Sequence, residues 1–104
     1  MSDEKALTVL LAEAAAAYEQ GDFPGAARGF QAAAEAAQRA GDETHTATAL
    51  VNLAAAQGEM GALEEAEAAL VEAIRLFGGA SNLLGQCQAQ ISLGTVLGRL
   101  GRAE

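Results

Sequence analysis

The chain has no tryptophan, one tyrosine, three phenylalanines, one proline and one cysteine among its 104 residues, and only six are Lys or Arg. With Cys87 alone, no intrachain disulfide can form, and a reducing, cytoplasmic compartment is the simpler setting. Six cations against 14 carboxylates, for a net charge of −8, leave no basic face to neutralise phosphates, which argues against a nucleic-acid partner. β-Branched residues are sparse, which argues against sheet. No long apolar run suits a membrane either. The uncharged stretch from Leu76 to Gly98 is broken by GGASN and carries three Gln. The short run ALTVLLA at 6–12 follows Asp3 and Glu4 where a signal peptide would be basic, and Glu13 ends it.

Chemistry is equally thin. His45 and Cys87 are the only residues of their kinds and lie far apart in the chain, so a Cys–His pair would rest on one candidate of each. Together they supply two metal ligands, with no carboxylate at a motif spacing. The simpler reading makes His45 a surface residue near a helix start and Cys87 a small buried side chain on a packing stripe. Glu64, Glu65 and Glu67 sit in the first turn of a helix, where negative charge complements the dipole. The chain is expected to be neither an enzyme nor a cofactor protein.

What is present is alanine in quantity, within a hydrophobic content of 51%. Alanine favours helix and close backbone approach while burying little surface. Into this helical background, 18-YEQGDFPGA-26 inserts Gly21 and Pro24. Gly21 ends one helix, Asp22 is placed to cap the next, and Pro24 falls in that helix's first turn. The interruption recurs. QGDFPGA returns as MGALEEA at 60–66 and in part as LGRAE at 100–104, so Gly21, Gly61 and Gly101 are evenly spaced. Phe23 aligns with Leu63, Ala26 with Ala66, Phe30 with Leu70, Ala33 with Ala73, and Ala14 with Ala54 and Gly94. A constant period of about 40 residues marks a repeat array.

Each unit reads as two helices. Leu7, Leu10, Leu11, Ala14 and Ala17 stripe the first helix of unit one, and Ala26, Phe30, Ala33, Ala34 and Ala37 the second, which stops near Gly41. Unit two has Leu50, Leu53, Ala54 and Gln57, then Leu63, Ala66, Leu70, Ala73, Ile74 and Phe77, closed by Gly78–Gly79. Unit three has one helix, striped by Cys87, Leu93, Gly94 and Leu97. The expectation is an all-α chain of five helices in a single domain, with units at about 3–41, 42–79 and 81–100.

Leu50, Leu53 and Ala54, then Gly61, Leu63 and Ala66, then Leu70 and Ala73 resemble the tetratricopeptide repeat. Unit one matches at Leu10, Ala14, Gly21, Phe23, Ala26, Phe30 and Ala33, with Glu13 where a large apolar residue is usual. The usual period is about 34 residues. The longer units here are similar to those of Leu-Gly-Asn/Pins-type adaptors and kinesin light chains. HEAT and armadillo repeats also suit a longer period, but lack the Gly-x-aromatic-x-x-Ala turn.

The resemblance implies antiparallel helix pairs stacked as a short right-handed solenoid, with first helices lining a concave groove that binds a peptide or protein segment. Carried onto this chain, the groove residues are Thr8, Leu11, Ala15, Tyr18 and Glu19 in unit one. Unit two supplies Thr48, Val51, Asn52, Ala55 and Glu59, and unit three Gln88, Ile91, Ser92, Thr95 and Arg99. Family members that clamp a C-terminal carboxylate use Lys, Asn and Arg at positions held here by Leu11, Ala15, Asn52, Gln88 and Ser92. Only the Asn is retained, so a clamp on a C-terminal carboxylate is not expected.

Unit three carries Gly85, Gly94 and Gly98 within its helix, each costing about 1 kcal/mol against Ala. Val96, Leu97 and Leu100 are expected to lack part of their cover. Such a face predicts either a piece of a longer array or a homo-oligomer formed through the terminal helix. Phe30 is the largest residue assigned to the unit-one stripe. Phe30→Ala is expected to destabilise by about 3–5 kcal/mol, measured by urea or thermal unfolding, and a melt shifted by about a degree or two would remove Phe30 from the core.

Overall fold

A computed structural model describes the backbone of residues 3–101 and the side chains of residues 6–101. The last residues of the third turn, 102–104, lie outside the described part. The chain forms α1 (Asp3–Glu19), α2 (Phe23–Arg39), α3 (Glu43–Glu59), α4 (Leu63–Gly79) and α5 (Leu83–Arg99). Each is 17 residues long. Helix starts therefore recur at equal steps, and the period read from the sequence divides into two equal halves.

The turns explain that regularity. After α1, Gly21 sits at φ +82°, where an L side chain is strained, and Gly41, Gly61 and Gly101 take the same conformation. The Asp22 amide donates to the Ala17 carbonyl at 2.9 Å and the Gly21 amide to Tyr18 at 3.0 Å, the paired bonds of a Schellman end. Asp22 then starts the next helix, its carboxylate accepting from the Gly25 amide at 2.9 Å. Asp42 and Asn82 do the same for α3 and α5, through the His45 and Gly85 amides. Ala62 offers no such bond to α4, whose first turn carries Glu64 and Glu65 instead.

One turn departs from expectation. Gly78 and Gly79 do not close α4 but lie in its last turn, and Ser81 takes the left-handed position at φ +57°. The bond from the Asn82 amide to the Phe77 carbonyl, at 2.8 Å, sets the helix end by geometry rather than by where glycine happens to fall.

Each helix packs on its chain neighbours, and α3 also touches α5. The molecule measures 45 × 33 × 17 Å, thin enough for two helix layers. All five residues of the α2 stripe are buried, with Phe30 at 4% exposure. Phe30 joins Ala14, Ala26, Leu53 and Ala56 in one cluster, so residues of α1, α2 and α3 meet around its ring. Ala47, Ala54, Ala66, Leu70, Ala73 and Phe77 form a second, which reaches Ala89 and Val96 of α5.

The stripe expected on α5 is rotated. Gly85, Ala89 and Val96 are the buried residues, whereas Cys87 is exposed, Gly94 faces open space and Leu93 and Leu97 are only partly covered. Val96, expected to lack neighbours, is buried by the α3–α4 side. Cys87 and Gly94 stand one period after Ala47 and Ala54, which α4 covers, and no described helix stands in the equivalent place beside α5. Gly85 also has a packing reason, because a Cβ there would lie 2.5 Å from the Phe77 ring.

Ser81 is the one non-glycine residue at these left-handed positions among the described residues. Ser81→Gly is expected to raise stability by about 1 kcal/mol, read as a higher urea midpoint at unchanged slope. An equal or lower midpoint would show that Ser81 carries no backbone strain.

Candidate binding groove

The C-terminal halves of α1, α3 and α5 form a surface tied together by two polar bonds. Tyr18 donates its hydroxyl to Glu59 Oε2 at 3.3 Å, joining α1 to α3. Arg99 Nη1 donates to the Gly58 carbonyl at 3.1 Å, joining α3 to α5. The Tyr18 ring also meets Phe23 edge-on, centroids 5.1 Å apart. Burial, then the charge of Glu59 and its hydrogen bond, push the Tyr18 phenol above its usual pKa.

Two cavities lie along this surface and share Tyr18, Asn52 and Ala55. The first, of about 280 Å³, is bounded by Ala15, Tyr18 and Glu19 of α1 and Asn52 and Ala55 of α3, over Phe30. The second, of about 250 Å³, adds Val51, Gly58 and Glu59 of α3 and Ser92, Thr95, Val96 and Arg99 of α5, over Leu70. Asn52 is half-buried, and its side chain makes no hydrogen bond to another described residue. Thr95 is already committed, donating to the Ile91 carbonyl at 3.3 Å.

Of the residues assigned to the groove from sequence, Ala15, Tyr18, Val51, Asn52, Ala55, Glu59, Ser92, Thr95 and Arg99 line these cavities, as does Glu19. Thr8, Leu11, Thr48, Gln88 and Ile91 do not. Leu11 packs against the clusters around Ala14 and Leu7, while Thr8, Thr48 and Gln88 are exposed nearer the other helix ends. Ile91 is 72% exposed on α5. Phe30 and Leu70, which helical spacing assigns only to the core, each also floor a cavity. Spacing signals that a residue is buried and says nothing of the space left above it.

A larger cavity, about 900 Å³, lies elsewhere, between α2, the start of α3 and the end of α4. Sequence pattern gives no sign of it, since three helices contribute and no motif links them. Several of its polar groups already have partners. Gln31 donates to Glu35 at 3.1 Å, and Arg75 Nε to Glu72 at 3.0 Å, which holds the Glu72 carboxyl below its usual pKa. Asp42 accepts from the His45 amide at 3.0 Å and meets His45 Nδ1 at 2.6 Å. The amide bond, more than the imidazole, lowers the Asp42 pKa. The groove around Asn52 joins the first helices of all three units and is the candidate taken for a ligand. Among the described residues, no three His, Cys, Asp or Glu gather to hold a metal, and no helix is long and apolar enough to cross a membrane.

Equal helices, returning at equal steps and packed neighbour on neighbour, define an all-α helical-repeat protein of the solenoid class. The tetratricopeptide repeat family model matches residues 5–78, and the chain belongs to that family. Its repeats are protein-interaction modules. The match covers α1 to most of α4, and α5 continues the same spacing. No curated protein and no solved structure was found to match the chain.

Proposed function

We propose that this chain is a non-enzymatic scaffold that holds a peptide or protein segment against α1, α3 and α5. The observation that carries the proposal is the meeting of two cavities at Asn52, whose carboxamide has no described partner. A half-buried amide of that kind gains most from a backbone N–H and C=O supplied by an extended segment. The surrounding wall of Ala15, Ala55 and Val51 is shallow and neutral, which suits backbone contact. In a reducing cytoplasm the exposed Cys87 stays a free thiol.

A second reading concerns α5. Leu83, Leu84 and Ile91 are 73%, 70% and 72% exposed, and no residue from Leu83 to Gly98 carries a charge. Leu84, Cys87 and Ile91 fall on one helix face. Two copies of a chain with net charge −8 repel elsewhere but not along this helix. A second copy, its α5 antiparallel to the first across a two-fold axis, would cover that face.

For the groove, Asn52→Ala is expected to weaken a partner recovered by pull-down about fivefold, and Arg99→Glu to weaken it as well by breaking the bond that holds α5 to the Gly58 carbonyl of α3, with helicity by circular dichroism unchanged. If both variants bind like the parent chain, the groove is not the binding surface. For α5, sedimentation should show mass rising with concentration in the parent chain and a monomer for Ile91→Glu. A parent chain that stays monomeric across the range removes the dimer.

A further inference from the structure

We infer that the cavity between Tyr18, Glu19 and Asn52 is a pocket for a Lys or Arg side chain of the bound segment, an inference that rests on the groove reading above. Its floor and walls are apolar where a long side chain would lie: Ala15 on one side, Ala55 on the other, Phe30 beneath. At about 280 Å³ it has room for one such chain. Glu19 stands at its edge, and no cation lines it.

The position of Glu19 is the second reason. It is the last residue of α1, and Glu59, its counterpart one period on, is the last residue of α3. Carbonyls at a helix C-terminus already present partial negative charge, so a carboxylate there is unfavourable and a cation is wanted. Neither helix has a basic residue in its last turn. The third helix of this layer does, and Arg99 there bonds the Gly58 carbonyl. Glu59 is occupied by the Tyr18 hydroxyl, while Glu19 makes no ion pair with a described residue. The α1 end therefore lacks the positive charge that its own α5 counterpart carries, and a partner's ammonium or guanidinium supplies it.

Tyr18 completes the recognition. Phe23 and Glu59 hold its ring in place at the cavity wall, where an aromatic surface favours a cation. The chain's net charge of −8 steers basic segments towards it. The ligand is thus a basic segment whose backbone meets Asn52 and whose cation meets Glu19. An acidic segment would place its carboxylates against Glu19, Glu59 and two helix C-termini.

Four degenerate, end-blocked undecapeptide libraries, with Lys, Arg, norleucine or Glu fixed at the centre, test this on the full chain by fluorescence polarisation. Lys and Arg libraries are expected to bind about three- to fivefold tighter than norleucine, with Glu weakest, and the preference should shrink as salt rises. Glu19→Gln should abolish the preference at a melting temperature no lower than the parent's, whereas Asn52→Ala should weaken all libraries alike. If Asn52→Ala weakens binding but norleucine matches Lys, or the preference survives Glu19→Gln, the cation pocket is wrong and the groove stands. If no library binds and the amide signals of Ala15, Asn52 and Ala55 do not move by NMR, the groove itself falls and the pocket with it.

Discussion

The bond from the Asp22 amide back to the Ala17 carbonyl, with its copies from Asp42 to Ala37, Ala62 to Gln57 and Asn82 to Phe77, is the constraint on which the stack depends. It requires one residue in the left-handed conformation between helices, and it leaves the next residue free to begin the following helix. Stop and start thus share one short linker, which has almost no freedom to vary. Because every linker closes with the same bond, helix starts recur at equal steps, and alanine columns can be reused from one pair to the next. Without that repetition, small residues such as Ala14, Ala54 and Ala66 would bury too little to hold a fold of this size.

The same repetition brings the C-terminal ends of α1, α3 and α5 to one edge. Tyr18 to Glu59 and Arg99 to Gly58 span the same separation in sequence, one joining each adjacent pair. A surface made this way inherits the polarity of its helices. Its edge is negative from carbonyl dipoles as well as from Glu19 and Glu59, and only α5 answers with a cation. The groove's electrical character is therefore a property of the stack, and residue charge alone would understate it.

Much of this was legible in the chain. Ala26, Phe30, Ala33, Ala34 and Ala37 fall at helical spacing and all are buried, because α2 has neighbours on both sides and its apolar stripe has one place to go. Gly21 and Gly61 marked their turns because only glycine takes φ near +80° at little cost. The failures have physical causes too. Gly78–Gly79 looked like a stop, but glycine also fits a helix's last turn, and Ser81 bears the left-handed conformation unaided. Cys87 looked buried because it falls on the apolar stripe of α5, yet burial belongs to the pair of helices and not to the residue.

The groove divides along the same line. Asn52, Ala55 and Tyr18 were assigned to the first-helix wall from the tetratricopeptide resemblance, and they line the cavities there. Leu11 and Gln88 share that assignment but not the cavities, because cavity shape depends on how far neighbouring helices splay. By itself, the order of residues determined five helices, their period, the turns at Gly21, Gly41 and Gly61 and the sign of the surface charge, all local or additive properties of the chain. Only the tertiary structure decided which face of α5 is covered, that Phe30 and Leu70 floor cavities as well as fill the core, and that Glu19 ends its helix without a cation beside it. Those are relations between side chains far apart in the chain, and they exist only once the helices are packed.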